Sequence, residues 1–340
     1  MIPDNKQVAV EKALRRAFGV SEFEEIRQLT KGLSSALIFK IVVRGESYLL
    51  RVITRTDAMG DPTYYFGCME LAASAGLAPS IYYLSTDDRI SITGFVEEHS
   101  FATSSARKIM PQWLRRLHAL PRFSYRFNYF DRMESFMEKF KACNMLPAEA
   151  IDNVFDIYAR IASVYPRNDE GDLVSCHNDL KPENVLFDGI RPWLVDWEGA
   201  FPNDRYLDLA VVGNFVLRNE RDEADYLEQY FTEPADEYEH ARFFMMCQML
   251  HVYYFTFLML SGSAGNPVDI NNFKKPGFRL FHDRMWDGEI TLTTAETKLQ
   301  YAWEHRAEFL RKAETDRFED SLQILASRDQ RNLVKTELPQ

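Results

Sequence analysis

The stretch from Val174 to Asp208, VSCHNDLKPENVLFDGIRPWLVDWEGAFPNDRYLD, constrains this chain more than any other. His177, Asp179 and Asn184 follow the spacing H-x-D-x-x-x-x-N, and Asp196 comes twelve residues after Asn184. Two short apolar runs, Val185-Leu186-Phe187 and Trp193-Leu194-Val195, lie between them, with Asp188-Gly189 in the connection. Apolar runs joined through Asp-Gly predict a β-hairpin. A hairpin returns the chain to its starting point, so Asn184 at the entrance and Asp196 at the exit are expected side by side. Two oxygen-bearing side chains could then serve one hard cation. Mg²⁺ takes one or two such ligands from a protein and completes its shell with phosphates and water.

This ordered set suits phosphoryl transfer. The reaction needs an aspartate to orient the attacking hydroxyl, with an asparagine and a second aspartate to hold the metal that bridges the β- and γ-phosphates. Asp179 is the expected base, and Asn184 and Asp196 are the expected metal ligands. Asp and Asn also favour solvated turns, but an ordinary turn does not require loop, hairpin and second aspartate to agree. His177 is expected to be structural, hydrogen-bonding to hold the loop.

The strings HNDLKPENVLFDG and WLVDWEGAFPNDRYLDLA resemble the aminoglycoside phosphotransferase and choline/ethanolamine kinase superfamily, and most closely its bacterial choline-kinase-like branch. The resemblance implies an α+β, two-lobed protein-kinase-like fold, with a small N-terminal antiparallel β lobe and a larger, mainly helical C-terminal lobe. It implies transfer of the γ-phosphate of ATP to a small-molecule hydroxyl, with Asp179 as base and Asn184 and Asp196 on Mg²⁺. Asp208, in YLDLA, resembles the family's buried aspartate that braces the catalytic loop from the next helix. DLKPEN is also similar to protein kinases, where a lysine at the place of Lys181 approaches the transferred phosphate.

At 340 residues the chain exceeds the size at which single cores split, so two lobes are expected. The boundary is placed near Val96, giving a nucleotide-binding lobe over 1–96 and a catalytic and substrate-binding lobe over 97–340. A net charge of −11 argues against a nucleic-acid partner and mildly favours cationic small molecules. Cys68, Cys143, Cys176 and Cys247 form no C-x-x-C pair, which points to a reduced, cytoplasmic setting. The N-terminus shows no charged-then-apolar leader. FFMMCQMLHVYYFTFLML, from Phe243 to Leu260, approaches the length of a membrane span. Its Gln248, His251, Tyr253 and Tyr254 favour a buried helix of the large lobe over a span.

From the N-terminus, residues 6–18 read as an amphipathic helix. Strands are expected over Phe23–Leu29 and Ser35–Val43. The loop between them offers backbone N–H groups and hydroxyls to phosphates, with Gly32, Ser34 and Ser35 as candidates. Arg51, in the strand 47–53, is the candidate for the nucleotide phosphates, since a guanidinium fork binds phosphate oxygens bidentately. YLLRVI also resembles choline kinases at that point. In the family a glutamate near the start of the next helix pairs with this cation. Here Tyr64 to Phe66 stand there and Glu70 is the only acid in the helix 63–75, so either Glu70 pairs with Arg51 from a shifted register or that ion pair is missing. Gly94-Phe95-Val96-Glu97 reads as the hinge, with backbone of Phe95 and Glu97 available to an adenine. Helices are expected over 104–119, kinked or restarted at Pro111, then over 129–145, 148–165, 209–217, 221–231 and about 293–328.

Only eleven residues separate Asp196 from Asp208 and no A-P-E follows, so there is no platform for a polypeptide. A small alcohol is the expected acceptor. Quaternary ammonium groups bind aromatic faces, often near a carboxylate. Trp197, Glu198, Tyr254 and Trp303 are the candidates, with Tyr206, Tyr253 and Phe257 as further aromatic material. Eukaryotic choline kinases follow the bracing aspartate with an asparagine and an acid, where this chain has Val211 and Phe215. The leading expectation is an ATP- and Mg²⁺-dependent kinase for a small hydroxylated amine, choline or ethanolamine first. The alternatives are an aminoglycoside or other antibiotic phosphotransferase and a catalytically idle nucleotide-binding module.

Overall fold

Period-two burial organises the N-terminal half. In ALIFKIVV the buried positions are Ala36, Phe39, Ile41 and Val43. In the following strand Leu50 and Val52 are buried, which turns Arg51 to the opposite face. The computed structural model describes residues 2–29, 36–57, 61–124, 127–167, 169–270 and 273–336. Helix α1 (Asp4–Phe18) precedes strands β1 (Glu25–Leu29), β2 (Ala36–Val43) and β3 (Glu46–Ile53). Helix α2 (Thr63–Ser74) then leads to β4 (Ile81–Ser85) and β5 (Ile90–Gly94). These five strands form one antiparallel sheet in the order β1-β2-β3-β5-β4. Val10, Ala13 and Leu14 of α1 share one apolar core with Phe39, Ile41, Leu50, Val52 and Ile92. Helix α1 therefore closes one face of the sheet, and Arg51 projects from the other.

The remainder is mainly helical. Helices α3 (Thr103–His118), α4 (Tyr129–Cys143) and α5 (Asp152–Val164) lead into the short strand β6 (Leu173–Cys176). The hairpin β7 (Val185–Phe187) and β8 (Pro192–Leu194) follows, then β9 (Phe201–Asp204), which pairs antiparallel with β6. Helices α6 (Arg205–Val216), α7 (Glu220–Phe231), α8 (Glu237–Ser263), α9 (Phe278–Trp286), α10 (Ala295–Ala313) and α11 (Asp316–Thr336) complete the chain. Helix α8 opens on a capping box: Asp236 accepts from the Glu239 N–H at 2.8 Å, and Glu239 accepts from the Asp236 N–H at 2.8 Å. By length and composition α8 could cross a bilayer, but 78% of its apolar window is buried inside the protein, where it packs on α4, α6, α10 and α11. The α+β, two-lobed architecture is thus present.

Several elements depart from the sequence expectation. Helix α3 runs without a restart through Pro111, which is buried with Met110 and Leu114. Tertiary burial offsets the backbone bond that proline forfeits. The strands β6 and β9 are four residues each and lack an alternating pattern long enough to announce them. Helix α9 has nine residues and no side-chain N-cap, so no start signal marks it.

Helices α8, α9 and α10 meet around three buried histidines, His251, His282 and His305, exposed by 2%, 0% and 0%. The Nδ1 atoms of His251 and His305 lie 2.8 Å apart, so one ring donates while the other accepts. His282 spans the Asn214 carbonyl at 2.9 Å and the Tyr301 hydroxyl at 2.8 Å. Burial pushes His251 down to about 4 and holds His282 and His305 well below the usual imidazole range. The unfolded chain takes up protons near pH 6.5 while the folded one refuses them. This contribution to stability is therefore complete above about pH 6.5 and is lost as the pH falls toward 4. Urea unfolding should show the free energy dropping from pH 7 to pH 5, by up to about 1.4 kcal/mol per pH unit for each histidine below 6.5. A flat profile over that window would contradict neutral burial of the three rings.

Candidate active site

The site is held from beneath by one carboxylate. Asp208, one turn into α6, has no exposed surface. It accepts from the backbone N–H of Asn178 at 2.7 Å and of His177 at 2.8 Å, and it meets His118 Nε2 at 3.2 Å. His118 in turn reaches the Tyr230 hydroxyl through Nδ1 at 2.7 Å. Asp204 fixes the start of α6 by accepting from the Tyr206 N–H at 2.9 Å, and it is itself held by Arg242 at 2.7 Å. Asn178 adopts a left-handed backbone, φ 65°, a conformation asparagine tolerates. Its amide donates to the carbonyls of Gly199 at 2.9 Å and Phe201 at 3.1 Å and accepts from Asn203 at 2.8 Å. His177 Nε2 lies 2.9 Å from the Val195 carbonyl, and its buried Nδ1 has no partner among the described residues. The proton therefore sits on Nε2 and ties the loop to the residue before Asp196.

Above this brace Asn184 and Lys181 meet Asp179, and the hairpin returns the chain to the residue before Asp196. Val185 pairs with Leu194, and the Val195 N–H extends the ladder to the Asn184 carbonyl at 3.0 Å. Asp188 closes the turn, accepting from the N–H groups of Ile190 and Arg191 at 2.8 Å each, and Gly189 takes φ 90°. Asn184 is 3% exposed, and its Nδ2 donates to the Asp179 carboxylate at 2.9 Å and the Asp179 carbonyl at 2.7 Å. Its Oδ1 is left as a ligand atom. Lys181 Nζ donates to Asp179 at 3.0 Å. Burial opposes the lysine charge, but Asp179 and then Asp196 outweigh it and raise its pKa. Gly199 lies against this loop. A methyl group there would come within 3.2 Å of the His177 carbonyl and 3.5 Å of the Asp179 Cβ, so a side chain would displace the loop. Asn184 Oδ1 and the Asp196 carboxylate are hard oxygen donors, set together by one ladder, and they fit Mg²⁺.

Arg51 crosses from the sheet to this cluster. It donates to Asp196 at 3.2 Å and to the Glu198 carboxylate. Burial opposes its charge, but the two acids more than offset it and its pKa is raised. Glu198 is held above the usual carboxylate range, by burial first and by the like charge of Asp196, despite Arg51 beside it. Two acids share one guanidinium. Of the two alternatives left open for Glu70, its exposure on α2 favours the absence of a pair with Arg51, whose acidic partners include Asp196 and Glu198. Gly32, Ser34 and Ser35 lie outside the described residues. At the expected hinge, Glu97 accepts from Lys40 at 2.6 Å, and the Lys40 ammonium lies 4.1 Å from the Phe95 ring centre. Gly94 to Glu97 border a cavity of about 240 Å³ with Tyr82, Asp188 and Trp193.

The aromatic candidates divide. Trp197 is 2% exposed and packs on His177 and Phe123, so it belongs to the core beneath the loop and does not offer a face to an acceptor. Trp303 is 8% exposed and already stacked by the Arg306 guanidinium at 4.6 Å. Tyr254 is half-buried; burial and then the Asp179 charge hold its phenol well above the usual range. Tyr253 is pushed up to about 12 by burial and by Asp179, against the pull of Arg132. Tyr129, which sequence reasoning passed over, joins them, with its ring 5.5 Å from that of Tyr253. Nothing local marks Tyr129; only the packing of α4 on α8 sets it there. Asp208→Ala strands two buried backbone N–H groups and should lower the free energy of unfolding by about 3–5 kcal/mol in urea melts. A change below about 1 kcal/mol would contradict the bracing role.

This arrangement can be compared with known proteins. Protein LicA of Haemophilus influenzae (strain ATCC 51907 / DSM 11121 / KW20 / Rd) is 23% identical over 193 residues, 54% of this chain and 71% of LicA. A choline/ethanolamine kinase family protein from Mesorhizobium loti superposes with a TM-score of 0.64 at 19% identity, over 95% of this chain and 99% of the other. A spectinomycin phosphotransferase in complex with ADP and spectinomycin gives 0.55 at 12% identity, over 87% and 98%. The profile of the phosphotransferase enzyme family matches residues 25–244, which hold the five-stranded sheet, the 177–208 cluster and the first part of α8. With that match over more than half its length, this chain belongs to the phosphotransferase enzyme family.

Proposed function

We propose that this chain is an ATP- and Mg²⁺-dependent kinase that phosphorylates the hydroxyl of a small hydroxylated amine, with choline and ethanolamine as the first compounds to test. The observation that supports the reading is the hydrogen-bonded set of Asp179, Asn184 and Lys181, with Asp196, at the exit of the hairpin that Asn184 enters, bonded to Arg51. Asn184 and Lys181 both engage Asp179 Oδ2. That leaves Oδ1 to accept the acceptor hydroxyl, align it with the γ-phosphate and take its proton as the bond forms. Phosphate oxygens would compete with Glu198 and Asp196 for the Arg51 fork. Asn184 and the released Asp196 would hold Mg²⁺, which supplies charge neutralisation between the phosphates. Lys181 would hold Asp179 in place and meet the transferred group. The backbone of Phe95 and Glu97 would take the adenine, and we assign the enzyme to the cytoplasm, where ATP is supplied.

The acceptor class rests on the half-buried Tyr253 and Tyr254, with the buried Tyr129 packed behind Tyr253. Phenol faces near a carboxylate attract an ammonium group. The second reading, an aminoglycoside phosphotransferase, is supported by the likeness to the spectinomycin enzyme, but it calls for a more acidic lining than these three phenols provide.

Two variants and a screen test the proposal. Asp179→Ala should lower kcat by about 10²–10⁴-fold while ATP still binds. Asp196→Ala should remove the thermal shift that Mg·ATP produces in the parent protein. ATP consumption over choline, ethanolamine, thiamine, aminoglycosides and sugars identifies the acceptor class. Full turnover by Asp179→Ala, or an undiminished Mg·ATP shift in Asp196→Ala, would overturn the assignment.

A further inference from the structure

Glu198 is held from three sides before its carboxylate reaches Arg51. It lies in the single turn Trp197–Gly199 that follows the left-handed Asp196. Trp197 is anchored in the core on one side of it, and Gly199 abuts the His177 carbonyl on the other. The Glu198 carbonyl accepts from the Tyr64 hydroxyl at 2.7 Å. Cys68, one turn further along α2, places its Sγ 3.9 Å from the Ala200 carbonyl. Tyr64 stands near the start of α2, in the stretch where the family carries its glutamate. The only acid of α2 is the exposed Glu70. Through Tyr64, α2 therefore touches the turn that presents Glu198 to Arg51.

The Arg51 fork is divided between two acids. One terminal nitrogen donates to Asp196 at 3.2 Å and the other to Glu198, and the arginine side chain is largely buried. Nucleotide phosphates would need these same N–H groups. Taking them without a metal would withdraw the cation that the two carboxylates share and add phosphate charge beside them. Mg²⁺ on Asp196 changes that balance, because it gives the acids a new counter-ion and repels the guanidinium. We propose that Glu198 is a positioning residue that retains Arg51 until Mg²⁺ reaches Asp196, so that it couples nucleotide affinity to the metal. This deepens the kinase reading and rests on it. Tyr64 is the buttress: its hydroxyl fixes the backbone from which Glu198 reaches the guanidinium. The coupling is reciprocal, so the nucleotide raises the affinity for Mg²⁺ by the same factor.

Calorimetry with a non-hydrolysable ATP analogue, once in Mg²⁺ and once in EDTA, gives two dissociation constants whose ratio measures the coupling. Glu198→Gln keeps the shape of the side chain and should narrow that ratio about tenfold, mainly by tightening metal-free binding. Glu198→Asp should restore part of the ratio. Tyr64→Phe changes no charge and should narrow the ratio in the same sense by a smaller factor. Glu70→Gln removes an acid from the same helix and should leave the ratio as in the parent. In an Arg51→Met background Glu198→Gln should have little further effect, because the cation through which it acts is gone. Melting temperatures confirm that each variant is folded. A ratio unchanged in Glu198→Gln or in Tyr64→Phe, weaker binding of Glu198→Gln in both conditions, equal narrowing by Glu70→Gln, or full narrowing without Arg51 would overturn the inference. The two readings fail differently. A parent protein that binds the analogue in neither condition sinks the kinase reading, whereas Mg²⁺-dependent binding indifferent to Glu198→Gln sinks only the role of Glu198.

Discussion

The Asp208 carboxylate is the constraint on which the rest of the structure turns. A buried charge without partners is prohibitively costly, so its place in the fold is fixed by the groups that satisfy it. Those groups are two consecutive backbone N–H donors, from His177 and Asn178, and the His118 imidazole. Fixing two successive peptide units leaves the next residue, Asp179, little freedom of direction. The same segment is tied laterally by His177 to Val195 and by Asn178 to Gly199 and Phe201. One buried charge therefore sets the position of Asp179 and the strand exit that carries Asp196.

The second organising feature is the sharing of Arg51 by Asp196 and Glu198. Burial first, and then the like charge of Asp196, raises the pKa of Glu198 despite the Arg51 guanidinium beside it. Such an arrangement favours the arrival of further cationic charge, which relieves the repulsion between the acids. In the proposed kinase, Mg²⁺ would bring that charge while the triphosphate draws on Arg51. The pair also joins the sheet to the helical part of the chain through a polar contact that a nucleotide can rearrange.

Much of this was legible because the chemistry is local in sequence. The Asp188-Gly189 turn and its flanking apolar runs predict the hairpin, and the hairpin alone brings Asn184 beside Asp196. Period-two alternation in β2 and β3 likewise puts Arg51 on the face away from α1. What escaped was decided by tertiary packing. Glu70 is the only acid on α2, yet it points to solvent, and Glu198 reaches Arg51 because the chain turns sharply after the left-handed Asp196, φ 64°. Trp197 is aromatic and next to the site, which suggests a binding face, but that same turn drives it inward. Tyr129 belongs to an ordinary amphipathic helix, α4, whose neighbour α8 begins 94 residues after α4 ends, at Glu237 against Cys143. No local signal links them.

The central claim is that Asp179, Asn184 and Asp196 converge on one metal–triphosphate held from the other side by Arg51. A crystal structure with Mg²⁺ and a non-hydrolysable ATP analogue tests it most directly. The account predicts a metal about 2.1 Å from Asn184 Oδ1 and from an Asp196 oxygen, Arg51 moved from Glu198 onto phosphate oxygens, and an Asp179 oxygen facing the γ-phosphate. A nucleotide bound with Arg51 still on Glu198, and with the metal away from Asn184 and Asp196, would contradict it.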